Sequence, residues 1–165
     1  MIETGSPAPD FELPGTDART EESGITRYRL SDYLDDGPVI LTFYLFDFNP
    51  KCTNHMCSLR DLEWFNFLEN TTIFAISTDR VFSHQAFAED QQLDFTLLSD
   101  SDGSVSEAYD VLYDEFNHHK RVAKRSVFVI DESGTIQYAW ATDDPEEMPD
   151  WSAVHEAVQP LATIA

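Results

Sequence analysis

The strongest constraint on this chain is an apolar run that leads to a cysteine. Val39-Ile40-Leu41-Thr42-Phe43-Tyr44 is rich in β-branched and aromatic residues, the composition of a strand buried on both faces. Past Cys52 the period changes: Met56, Leu59, Trp64, Phe67 and Leu68 fall near one helical stripe, so a helix is expected to begin close to Cys52. Pro50 stands where the first turn of a helix tolerates it.

The same grammar recurs downstream. Thr72–Ser77 reads as a second buried strand, followed by a helix over about 81–92 carrying Phe82, Ala86 and Phe87. A short strand at Phe95–Leu98, a helix around Val105–Tyr109, and strands at Ser126–Ile130 and Ile136–Trp140 across the turn Asp131–Gly134 follow. A last helix is expected near Trp151–Leu161, with Val154 and Val158 at i,i+4 spacing. Upstream, Phe11-Glu12-Leu13 and Tyr28-Arg29-Leu30 suggest an N-terminal hairpin. Strands alternating with helices predict an α/β chain, a three-layer α/β/α sandwich of the thioredoxin-like type with an N-terminal β-hairpin extension. With no internal repeat or low-complexity linker, residues 1–165 are expected to form one domain.

Cys52 and Cys57 form a C-x4-C pair across the predicted strand-to-helix junction. Unsatisfied backbone N–H groups and the helix dipole favour an anion there. A thiolate is such an anion, and the thiolate rather than the thiol is the nucleophile. Lys51 and His55 add positive or hydrogen-bonding character nearby.

Charge excludes some partners. Acidic residues outnumber basic ones 31 to 10, for a formal net charge of -21, which repels nucleic acid and anionic membranes. The acids are spread along the chain rather than gathered in a tail, as in a strongly hydrated surface. The first residues, Met1-Ile2-Glu3-Thr4-Gly5, carry neither a basic region nor an apolar core, so a cytoplasmic location without membrane attachment is expected. In that compartment two cysteines are more often catalytic or metal-binding than structural.

Phe43-Tyr44-Leu45-Phe46-Asp47-Phe48-Asn49-Pro50-Lys51-Cys52-Thr53 resembles the F-Y-P-x-x-x-T-P-G-C-T segment of peroxiredoxins. Cys57 and Leu59-Arg60-Asp61 are similar to the resolving cysteine and L/F-R-D sequence of the Q-type subgroup, the bacterioferritin comigratory proteins. Gly5–Leu13, Leu30-Ser31-Asp32-Tyr33, Ser77-Thr78-Asp79 with Ser83–Phe87, and Leu97–Gly103 continue the resemblance in order. Arg125, just before Ser126–Asp131, matches the arginine that this family brings to its active site from a distant strand. The resemblance implies a thiol peroxidase. Cys52 would attack hydrogen peroxide or an organic hydroperoxide, Arg125 would stabilise the developing charge, and Cys57 would condense with the Cys52 sulfenic acid to a disulfide. A thioredoxin-like dithiol would reduce that bond. The scheme needs no haem, flavin or metal, and Q-type relatives include monomers and homodimers.

Several positions depart from the family pattern. Leu45 replaces the motif proline and would shield the thiolate by bulk; Asn49 replaces the threonine and would supply an amide donor. Lys51 stands for glycine, and His55 for the usual Glu or Gln. Counting from Cys57 instead would put Pro50 at the motif proline and lose the Phe-Tyr pair, so Cys52 is retained as the attacking residue. Five residues of α-helix separate Cα atoms by about 8–9 Å, beyond the disulfide limit of roughly 7 Å, so the turn carrying Cys52 must unwind.

Two other readings remain open from the residues alone. One is a degenerate thiol-disulfide redoxin, suggested by Asn49. The other is a thioredoxin-fold copper or zinc binding protein using Cys52, His55 and Cys57 with His84 or His118-His119. His84, His118, His119 and His155 are otherwise expected to be surface or helix-packing residues, while Phe46 or Phe48 could form an apolar collar at Cys52.

Self-repulsion at this charge weakens the compact state in dilute buffer, and molar salt shortens screening to about 3 Å. The composition therefore points to a salt-adapted organism. The melting temperature should rise between dilute buffer and molar KCl, read by scanning calorimetry; a flat or falling response would overturn that reading.

Overall fold

The computed structural model describes residues 2–17, 24–62 and 68–164. In chain order the elements are β1 (Glu12–Asp17), β2 (Thr26–Arg29), β3 (Val39–Phe43), α1 (Pro50–Arg60), β4 (Leu68–Glu69), β5 (Thr72–Ser77), α2 (Val81–Gln91), β6 (Thr96–Ser99), α3 (Ser104–Ala108), β7 (Leu112–Phe116), β8 (His119–Ala123), β9 (Ser126–Ile130), β10 (Ile136–Ala141), α4 (Trp151–Val158) and β11 (Thr163–Ile164). Seven strands make one mixed sheet in the order β10-β9-β3-β5-β6-β1-β2. β3 lies parallel to β5 and antiparallel to β9, and the N-terminal hairpin joins the sheet through β1 and β6.

Every residue of β3 is buried because each face of the sheet is covered. Val39, Leu41 and Phe43 join Phe74, Ile76 and Leu98 beneath Val105 of α3, Tyr109 and the N-terminal Phe11. On the opposite face Ile40, Val127 and Val129 pack against Val154 and Val158 of α4. Ala75 and Leu97 there meet Met56 and Leu59 of α1 and Phe87 and Ala88 of α2. The three expected layers are present, with α1, α2 and α4 on one side. No described helix is long and apolar enough to cross a membrane.

One sequence expectation changes, and two features appear that the sequence reading did not give. The α1 stripe stops at Arg60, and Leu68 pairs with Ile164 in a small β4–β11 ladder rather than extending a helix; Trp64 and Phe67 lie outside the described residues. On α2 the buried positions are His84, Phe87 and Ala88, while Phe82 is 71% exposed. The core-facing stripe is thus set by 84, 87 and 88, which share a helical face, and not by the larger ring at 82. Finally, β7 and β8 form a hairpin whose signal is weak because Asp114 and Glu115 break the apolar alternation. Its turn residues Asn117 and His118 both have positive φ, 47° and 68°, the geometry of a two-residue turn matched to strand twist.

Gly15 lets β1 approach β6 closely. A Cβ there would lie 2.5 Å from Leu98 Cδ2 and 2.7 Å from the Leu97 carbonyl. Gly15→Ala should therefore lower unfolding free energy by about 1–3 kcal/mol in urea titration, the usual cost of overpacking.

Candidate active site

The loop after β3 turns directly into α1. Asn49 is the N-cap, and its Oδ1 accepts from the backbone N–H groups of Lys51 at 3.0 Å and Cys52 at 3.2 Å. Pro50 follows at the first helical position, where its missing N–H costs nothing. The amide of Asn49 thus works here through its oxygen, as a helix cap. The donor expected at this position is left to Nδ2. Cys52 lies in the first turn and is fully buried; Lys51 beside it is exposed.

Arg125 reaches this turn because β9, which starts at the next residue, pairs with β3 so that Phe43 lies opposite Ser126. Its side chain is buried, only 1% exposed, so the surface arginine that composition alone would suggest is not what the fold contains. Nη2 stands 3.6 Å from Cys52 Sγ. Nε and Nη2 both donate to the Pro145 carbonyl, at 3.1 and 2.7 Å, and Nη1 donates to His55 Nδ1 at 2.9 Å. No described carboxylate forms an ion pair with this guanidinium.

The arginine fixes the state of His55. A guanidinium only donates, so Nδ1 must accept, leaving the ring proton on Nε2, which faces Thr42 Oγ1 at 2.8 Å. Thr42 in turn donates to the Ser126 carbonyl at 3.3 Å. Burial first, and then the Arg125 charge, hold the His55 pKa well below the usual imidazole value. The chain Arg125–His55–Thr42–Ser126 therefore orients the guanidinium without neutralising it. Thr42 and Pro145 carried no sequence signal for this role, since one reads as core and the other as loop.

Leu45 is 2% exposed and packs in the same apolar cluster as Cys52. Phe46 stacks near Phe116 and His119 of the β7–β8 hairpin, and Phe48, half exposed, sets its edge on Phe87. Both rings thus flank the loop that leads into Cys52.

A second polar knot fastens that loop to α2. Asp47 accepts from the Tyr44 hydroxyl at 2.6 Å and the Ser83 hydroxyl at 2.7 Å, and faces His84 Nδ1 at 2.8 Å. His84 Nε2 lies 2.9 Å from the Leu98 carbonyl, an acceptor only, so Nε2 carries a proton. His84 is a buried packing residue rather than a surface one. Burial, reinforced by Asp47, raises the Tyr44 phenol well above its ordinary pKa. Burial and the same carboxylate raise Asp79, which accepts from the Asp47 N–H and the Ser77 hydroxyl. Among the described residues Asp47, Asp79 and His84 are the grouping with metal-holding geometry, and it includes neither cysteine nor His55. The cysteine–histidine metal set considered from the sequence is thus not assembled.

Cys57 is half-buried and points elsewhere, its Sγ donating to Gln91 Oε1 of α2 at 3.3 Å. Both cysteines are free thiols, carried on one intact helix.

Unfolding would release His55 to take up a proton near its ordinary value of 6.5, one the native ring refuses. The unfolded state then binds more protons, so stability falls as pH drops below that value. His55→Gln, which keeps an acceptor and a donor, should remove this contribution. Below pH 6.5 the parent should lose up to about 1.4 kcal/mol per pH unit more than the variant in urea titrations.

The AhpC/TSA family profile matches residues 4–139. The chain is 36% identical over 142 residues to Peroxiredoxin Bcp of Bacillus subtilis, covering 84% of this chain and 85% of that protein. It is 32% identical over 139 residues to the chloroplastic Peroxiredoxin Q of Triticum aestivum, covering 84% of this chain and 59% of that one. The crystal structure of Peroxidoxin BcpB from Mycobacterium tuberculosis superposes with a TM-score of 0.75 at 31% identity, over 96% of both chains. A profile match and relatives of this identity, spread along nearly the whole fold, place the chain in the AhpC/TSA family as a peroxiredoxin, an enzyme that reduces peroxides with a cysteine thiol.

Proposed function

We propose that Cys52 is the sulfur that attacks the peroxide, that Arg125 is its electrostatic partner, and that Cys57 resolves the product. The observation that carries this reading is the buried Arg125 guanidinium, with no described carboxylate beside it and Cys52 Sγ 3.6 Å away. A buried cation needs a counter-charge. The Cys52 thiolate supplies it, and the helix N-terminus favours the same charge.

In the reaction the Cys52 thiolate attacks the terminal oxygen of hydrogen peroxide or an organic hydroperoxide. The O–O bond breaks, Cys52 becomes a sulfenic acid, and the departing hydroxide or alkoxide takes a proton. Arg125 lies where it can follow the charge from sulfur to the departing oxygen. With Asn49 Oδ1 engaged in capping, its Nδ2 is the donor offered to the bound peroxide. The Cys57 thiolate then displaces hydroxide from the sulfenic acid, giving a disulfide and water. A thioredoxin-like dithiol reduces the disulfide and leaves oxidised itself.

Mass spectrometry after one equivalent of peroxide tests the assignment. The parent should form an internal 52–57 disulfide, Cys57→Ser should accumulate Cys52 sulfenate, and Cys52→Ser should consume no peroxide. Arg125→Gln should slow peroxide consumption about 100-fold or more, the usual cost of a preorganised donor. Asn49→Thr should leave turnover within about tenfold; a much larger gain would mark the native site as a weakened peroxidase. Hydrogen exchange supplies a further check. Amides 52–58 should be protected in the reduced form and lose protection on oxidation; protection in both forms would contradict the unwinding.

A further inference from the structure

Gln91, the last residue of α2, stands one turn past the buried positions Phe87 and Ala88 and is half-buried. Its Oε1 accepts from Cys57 Sγ at 3.3 Å. Its Nε2 donates to Asp90 Oδ2 at 2.7 Å. A carboxylate acceptor requires the nitrogen on that side, which fixes the amide orientation and leaves the oxygen facing the thiol. Its backbone carbonyl, unpaired within a helix end, accepts from Arg60 Nη1 at 2.5 Å. Arg60 follows Cys57 by three residues and shares its helix face. A single residue thus ties the second half of α1 to the end of α2.

Resolution requires Cys57 to do two things, and Gln91 opposes both. The thiol must lose its proton, yet the bond to Oε1 exists only while sulfur keeps it. The residue must also leave α2 and approach Cys52, on the opposite side of the helix toward Arg125. The loop before Cys52 is held by several contacts of Asp47, to Tyr44, Ser83 and His84, whereas the Cys57 thiol has a single side-chain hydrogen bond. The thiol–amide contact at Cys57 is therefore a tie that has to break before the two sulfurs can meet.

We propose that Gln91 is a positioning residue that brakes the resolving step and thereby sets how readily the enzyme overoxidises. The proposal rests on the roles assigned to Cys52 and Cys57 above. While Cys57 stays docked and protonated, the Cys52 sulfenic acid persists. A second peroxide can then transfer an oxygen to it, giving Cys52 sulfinic acid and one water or alcohol, with the peroxide O–O bond broken. When Cys57 is released it attacks as the thiolate, the S–O bond of the sulfenic acid breaks, and the hydroxide formed takes up the displaced proton.

Rapid-quench mass spectrometry of the parent, Gln91→Met and Gln91→Glu tests this. Methionine keeps the volume and removes the acceptor; ionised glutamate is a stronger acceptor for the thiol. Sulfenate formation should proceed at one rate in all three. Disulfide formation should be roughly 2- to 10-fold faster in Gln91→Met, the worth of one hydrogen bond, and slower in Gln91→Glu at neutral pH. The sulfinate fraction under excess peroxide should fall in the first and rise in the second. Rates that move in the same direction in both variants, or in neither, would overturn the brake. A parent that forms no 52–57 disulfide would overturn the assignment of the cysteines instead.

Discussion

A guanidinium removed from water has to meet negative charge or strong acceptors, and at Arg125 that requirement organises the surrounding structure. The Pro145 carbonyl takes two of its hydrogen bonds and the neutral His55 ring takes another. Neither cancels the positive charge, and the fourth direction points at Cys52. A carboxylate at residue 55 would have neutralised the cation locally. The imidazole found there orients it and leaves its field on the sulfur.

The sheet makes this meeting possible. β3 ends just before the loop that caps α1, and β9 begins just after Arg125, so the antiparallel pairing of Phe43 with Ser126 brings residues 52 and 125 to one end of the fold. Thr42, inside β3, points to the same face as α1 and anchors His55. Helix α1 is consequently held by three kinds of chemistry: its start by the Asn49 cap and the loop's Asp47 knot, its apolar side by Met56 and Leu59 in the core, and its last turns also by Gln91. The two sulfurs occupy one rigid helix yet answer to different neighbours. Their separation in the reduced chain follows from helix geometry, and so does the need to give up part of that helix for them to join.

Much of the layout was legible in the residues. The runs at 39–44 and 72–77 are rich in β-branched and aromatic residues, and they form β3, buried throughout, and β5, buried from Phe74 onward. The change of period after Pro50 marked the start of α1 within two or three residues. The β7–β8 hairpin was hidden because Asp114 and Glu115 face water and interrupt the alternation. On α2 the size of a ring does not reveal the buried face: Phe82 is exposed, whereas His84, a polar residue with a full set of partners, is buried. Cys52, Cys57 and Arg125 stood out by their family context, while Gln91, Thr42 and Pro145 are ordinary residues whose importance lies entirely in what they touch.

By itself, the order of residues determined the alternation of strands and helices, the placement of a cysteine at the beginning of a helix, and the excess of negative charge, because each depends on short-range periodicity or on counting. The tertiary structure decided which arginine is buried, which nitrogen of His55 bears the proton, and that the thiol of Cys57 rests on α2. Those outcomes depend on distances between groups 34 to 73 positions apart, and local propensity carries no information about such distances until the sheet brings the groups together.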